Sequence, residues 1–312
     1  MTPPAHRPIG KILTAFAIIY FVWGSTFLAI RVGVQQVPPL VFAAMRFLAA
    51  GILMMAWTLL RGERMPTRRE WLSGSLLGLL IFVCDYGLLF WAEKTVPSGV
   101  AAVVMATIPV FIALFEIVLL KTQRLTLRLA VALLIGILGV TALVSNSFNL
   151  GGAPVSKLGT IALIIASISW AISTVLSRRL PLPSSKLVSA GIQMLTGGVM
   201  LAVVAGLFRE YRDFHPHQVT PAGWFALVYL IVAGSLIGFT AYVWLLHHES
   251  PTKVGTYAYV NPVVAVLVGY FAGGEPLGAR TLVGTVCVLM SVVAITGART
   301  PRPALAPADS RE

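Results

Sequence analysis

Of the 312 residues, 57% are hydrophobic and only 11% are charged, against about 25% charged in a soluble domain. This excludes an ordinary soluble enzyme or binding module and predicts an all-α polytopic membrane protein. The net charge of +12 looks like a polyanion-binding signal only until the basic residues are sorted into the short loops that hold them, which leaves no need for a nucleic acid partner.

A hydrocarbon core about 30 Å thick needs about 20 mostly apolar helical residues to cross it. Ten runs meet that need, at 12–31, 38–60, 71–92, 98–120, 128–146, 158–178, 186–208, 222–246, 253–272 and 280–298. Barrel strands would alternate polar and apolar residues, whereas "LVFAAMRFLAAGILMMAW" is apolar on nearly every side. The first run follows His6, Arg7 and Lys11, but it is too long for the apolar region of a secretory signal and is expected to be retained. Its Tyr20, Trp23, Thr26 and Phe27 share a face at helical spacing. The second run holds Arg46, eight residues or about 12 Å from its start. The third holds Asp85 and Cys84. Ionisable groups at such depth cost at least about 2.5–3.5 kcal/mol each, so both acid and base need a reason. Arg46 either receives a substrate carboxylate bidentately or sets the field of a cavity, or else pairs with Asp85 or caps backbone carbonyls. Asp85 is a proton carrier, a fixed ion partner or a cavity wall.

The fourth run carries Pro109, and Glu116 close enough to Lys121 to reach the interface. The sixth presents Ser167, Trp170, Ser173, Thr174 and Ser177 on one face, and the seventh holds Gln193. The eighth offers Ser235, Phe239 and Tyr242; the ninth offers Thr252, Thr256, Tyr259 and Asn261, with Pro262 following. Polar stripes facing lipid are costly, so these faces are expected to turn inward, either lining a path or joining helices. Pro109 and Pro262 are expected to kink their helices and serve as hinges. Trp57, Trp71, Tyr211 and Trp224 read as interfacial anchors. Gly74 with Gly78, Gly234 with Gly238, and Gly269 with Gly273 have the spacing of close helix packing. Cys84 and Cys287 both lie within spans, where no disulfide is expected. The tail "TPRPALAPADSRE" reads as disordered.

With the N-terminus placed in the cytoplasm, sixteen basic residues fall on that side and six on the other, with Arg46 inside the membrane. Both termini are therefore expected in the cytoplasm. The chain also repeats itself. "WGSTFLAIRVGVQQVPPLVFAAMRFLAAG" aligns with "WAISTVLSRRLPLPSSKLVSAGIQMLTGG", placing Trp23 on Trp170 and Arg46 on Gln193. "LLFWAEKTVPSGVAAVVMATIPVFIALFE" aligns with "YVWLLHHESPTKVGTYAYVNPVVAVLVG", placing Pro109 on Pro262. Five spans per copy is odd, so the copies are inverted: 1–148 and 149–298, followed by the tail 299–312. Inverted repeats around a midplane site are the geometry of secondary transporters.

The "WGS" of the first helix, the arginine of "FAAMRF", the block "FWAEKTVPSGVAAVVMATIPVF" and its partner "YAYVNPVVAVLVGYFAGGEPLG" together resemble the ten-helix drug/metabolite transporter superfamily, specifically its EamA-like members. The resemblance covers about 10–298. It implies a central cavity lined from both halves, with the fourth and ninth spans around it, and it brings in bacterial exporters of amino acids, aromatic ones among them. One departure stands out. Glu275 follows the ninth span, but Gln123 holds the matching place in the first half.

The resemblance implies a cell inner membrane protein whose expected function is export of small metabolites, most of all amino acids, by alternating access. Trp23, Thr26, Arg46, Asp85, Trp170, Ser173, Gln193, Tyr242, Tyr259 and Asn261 are the expected cavity residues. No cofactor, metal or nucleic acid is expected, and the chain is expected to act as a monomer in the lipid bilayer. A lipophilic-drug exporter is the rival of the same class. A polytopic membrane enzyme is the rival of another, but the spans offer no HExxH, catalytic carboxylate pair or Ser/His couple, and the chain has no Walker motif. "HPH" at 215–217 reads as a solvated loop.

Overall fold

The computed structural model describes residues 9–115, 127–144, 155–248, 254 and 257–296. Glu116, Gln123, Thr252, Thr256 and the tail lie outside the described residues, as does the side chain of Tyr259. Among the described residues all regular structure is helical. A helix lies over each of the ten expected intervals.

The first three rods are α1 (Ile9–Val34), α2 (Pro39–Leu60) and α3 (Arg68–Ala92). The fourth interval is split into α4 (Ser98–Met105) and α5 (Ile108–Phe115), followed by α6 (Leu127–Val144). In the second half come α7 (Lys157–Ser177) and α8 (Lys186–Leu207). The rod α9 runs through Pro221–Tyr229, Leu230–Ile237 and Gly238–His248. The last two are α10 (Tyr257–Gly273) and α11 (Ala279–Thr296). Six of these rods are long and apolar enough to cross a membrane by length and composition.

Local chemistry sets the helix starts. Thr67 and Glu70 form a reciprocal capping box at α3, and the side chains of Ser156, Ser185 and Thr220 each accept an early N–H of the helix that follows, leaving fewer orphan donors at the membrane boundary. Pro39 and Pro221 occupy first-turn positions, where the missing N–H removes no helical bond.

Three rods depart from α geometry. Ile18–Val22 in α1, Leu79–Gly87 in α3 and Leu230–Ile237 in α9 are wound as π-helix, a form concentrated at functional sites. The two expected proline kinks also differ from each other. Near Pro109 the helix stops at a turn over 106–107, where the Thr107 hydroxyl donates to the Val104 carbonyl at 2.6 Å, and Pro109 sits harmlessly in the first turn of α5. Pro262 instead lies inside the unbroken α10.

The helices pack reciprocally. α1 lies on α9 and α10, while α7 lies on α3, α4 and α5; α2 faces α8, α6 faces α11, and α4 faces α10. Every residue from Ser98 to Thr107 is buried, so α4 has no outward face. Elsewhere large apolar side chains such as Leu60, Phe208, Phe225 and Phe271 are exposed, as a lipid-facing surface requires. Trp57, Tyr211 and Trp224 are exposed too, whereas Trp71 packs against the cluster of Met55, Val188 and Ile192. The glycine pairs do admit close approach. A Cβ at Gly74 would meet Ile192 at 2.7 Å and one at Gly78 would meet the Gln193 carbonyl at 2.8 Å.

Candidate functional site

Arg46, on the inward side of α2, is 3% exposed. Its Nε donates to the Ser235 hydroxyl at 3.2 Å, and its guanidinium carbon lies 4.7 Å from the Phe47 ring centre and 5.2 Å from that of Tyr86. Phe90 is a third ring at 6.0 Å. Its Nη1 is buried with no hydrogen-bond partner. A cation held chiefly by π-faces and the Ser235 hydroxyl spends little of its donor capacity. Pairing with Asp85, one of the alternatives open to Arg46, is not made: the ion pairs among the described residues are Arg31 with Glu275 and Arg64 with Glu70.

Next to the guanidinium stands an aromatic group. Trp23 packs on Tyr242 at 5.4 Å and edge-on against Tyr257 at 5.1 Å, with Phe239 6.1 Å from Tyr242. The Trp23 indole N–H donates to the Gly234 carbonyl at 3.0 Å. Gly234 joins the two halves of this site: a Cβ there would sit 3.0 Å from Thr26 and 3.2 Å from Arg46 Nη2. The π-wound turn of α9 supplies both Gly234 and Ser235. Thr26 bonds the Trp23 carbonyl at 2.6 Å, and the Asn261 amide nitrogen can donate to the Tyr20 and Tyr257 carbonyls, 3.2 Å each.

The other expected residues are placed differently. Trp170 meets Tyr86 edge-on at 6.1 Å and so joins the site through a residue that periodicity did not single out. Asp85 is 1% exposed and neither carboxylate oxygen has a hydrogen-bond partner, so it is enclosed rather than bonded. Ser173 is buried. Gln193 turns back along its own helix and donates to the Ser189 hydroxyl at 3.0 Å. Tyr257 is a ring found against Trp23, while the side chain of Tyr259 lies outside the described residues.

A second polar centre, of which the sequence singled out only Glu275, ties helix ends together. Arg31 donates to the carbonyls of Glu93 at 2.6 Å and Val96 at 2.7 Å, and its Nε lies 3.3 Å from Glu275. Glu275 in turn accepts the main-chain N–H of Ser98 at 2.7 Å and of Gly99 at 3.2 Å, capping α4. Glu210 does the same for α2, accepting from Leu40 at 2.8 Å and Val41 at 3.1 Å. Glu93, one residue beyond α3, is wholly buried, and both its carboxylate oxygens are without partners. Burial pushes its carboxyl well above the ordinary range; the Glu275 carboxylate adds to this, while Arg31 and Arg46 oppose it. The signal was in "FWAEKTVPSG", an acid set between an apolar run and a Pro-Ser helix start.

The fold and chain have relatives. A crystal structure aligns with a TM-score of 0.60 over 91% of this chain and 96% of that one at 23% identity, a likeness of fold. "Uncharacterized inner membrane transporter YedA" of Escherichia coli (strain K12) is 40% identical over 292 residues, covering 93% of this chain and 92% of that protein. "Protein PecM" of Dickeya dadantii (strain 3937) is 28% identical over 276 residues, 88% of each. The model of the EamA-like transporter family matches twice, at 10–145 and 157–297. With both halves matched, and with the apolar rods described above, the chain belongs to the EamA-like transporter family, within the drug/metabolite transporter superfamily, and is a multi-pass membrane protein.

Proposed function

We propose that this chain is an inner-membrane secondary transporter that exports small metabolites, amino acids foremost, by alternating access between two inverted five-helix halves, with both termini in the cytoplasm. The observation that carries the substrate class is Arg46: a buried guanidinium with an unpartnered Nη1, and no acid paired to it among the described residues, has N–H donors free to bind a carboxylate. The adjoining rings of Trp23, Tyr242 and Tyr257 suit an apolar or aromatic side chain attached to that carboxylate. The reciprocal packing of α1 with α9 and α10, and of α7 with α3, α4 and α5, supports the inverted arrangement. The basic-residue bias supports the orientation. Asp85 is the second candidate participant, as a proton carrier.

Flux of radiolabelled amino acids in proteoliposomes, with and without a pH gradient, tests the proposal. Transport of at least one amino acid, abolished in Arg46→Gln protein that still folds and inserts, is the expected result. Drug efflux without amino acid flux would replace the substrate class with lipophilic compounds; failure of any amino acid to move overturns it.

A further inference from the structure

We propose that Glu93 is a proton-binding site that controls opening of the bundle at its Arg31 end. The Arg31 end is closed by one chain of contacts. Arg31 grips the carbonyls that follow α3, its Nε meets Glu275, and Glu275 caps α4. This arrangement leaves one charge unmatched. Arg31 and Glu275 neutralise each other, and the carboxylate of Glu93, enclosed beside them, receives no hydrogen bond from any described residue.

The charged groups acting on Glu93 are Arg31 from α1, Arg46 from α2 and Glu275 from the segment after α10. On its own strand of chain, Lys94 is exposed, and α7, which packs on the end of α3, brings only the exposed Lys157 at its start. None is an ion-pair partner of Glu93 within contact distance. An unpaired ionised carboxylate in a dry site costs several kcal/mol, which protonation removes. When the end opens, water reaches Glu93 and its ordinary affinity for protons, near 4.3 on the pH scale, returns. The closed form therefore holds one more proton than the open form. Low pH favours closure, and that preference is lost as the pH rises through the raised closed-state value. Ser98, whose amide bonds Glu275, also has a buried hydroxyl without a partner.

The amides of Ser98 and Gly99 bond directly to Glu275 and report the closure. Hydrogen–deuterium exchange of the 93–105 segment in the full-length protein, read as protection factors so that the chemistry of exchange itself is divided out, is the test. Within the window between the two proton affinities, protection should fall about tenfold per pH unit, since one proton is released on opening. Glu93→Gln should be highly protected at every pH with no slope, and Glu275→Gln poorly protected at every pH. If Glu93→Gln does not fold, the wild-type slope decides alone. A flat wild-type profile, or a Glu93→Gln profile as steep as the wild type, overturns the proposal. The measurement needs no substrate, so its outcome is separate from that of the amino acid reading on which the role of opening rests.

Discussion

At the scale of the residue, the chemistry of the site follows from how buried charges are met. Arg46 is compensated by rings and one hydroxyl instead of an acid, so substitutions separate charge from shape. Arg46→Lys retains the positive charge but loses the planar stacking and the Nε–Ser235 bond, and should weaken apparent substrate affinity roughly tenfold to a hundredfold in a flux assay. Asp85 gives the opposite prediction. Its carboxylate oxygens lack partners, so Asp85→Asn should leave the melting temperature unchanged or raise it, since breaking a real buried pair would cost about 3–5 kcal/mol; a fall of several degrees would expose a missing partner. Glu93→Gln should likewise keep its melting temperature at low pH and gain over the wild type as pH rises. Sequence reading located Arg46 and Asp85 because an ionisable group inside an apolar run is visible on its own. It did not reach Glu93, Arg31 or Glu210, because each sits at a helix end, where a charge looks solvated until a distant segment covers it.

At the scale of the element, the π-wound turns shape the candidate site. Each adds a residue to a turn of 3.6, rotating everything beyond it by about 100° relative to an α-helical projection. In α9 that turn brings Gly234 and Ser235 against Trp23 and Arg46. Periodicity therefore gives an incomplete set of faces: Trp23, Thr26 and Tyr242 stand together, and Tyr86, from the π-wound turn of α3, meets Arg46 unannounced. Gln193, matched to Arg46 by alignment, lies on the wholly α-helical α8 and bonds within that helix. The close approach at α9 makes a sharp prediction. A Cβ at Gly238 would overlap the Trp23 indole, so Gly238→Ala should cost about 1–3 kcal/mol, as overpacked sites do. Thermal unfolding in detergent checks it, and a neutral result would mean that the indole moves freely.

At the scale of the whole molecule, hydropathy alone located the helices, because a bilayer requires long apolar rods that satisfy their own backbone. The break between α4 and α5 was less accessible. Proline marked the neighbourhood, but a turn two residues upstream carries the interruption. The basic-residue bias predicts that reporter domains fused after residue 312 and ahead of residue 1 are both active on the cytoplasmic side; activity of either on the far side would reverse every assignment of inner and outer faces. The fully enclosed α4 has a consequence for heredity as well as for mechanics. A helix that lines lipid tolerates exchange along one stripe, whereas Ser98 to Thr107 presents no such stripe, so a saturation library scored for function should show unbroken intolerance there, next to the periodic tolerance of α2.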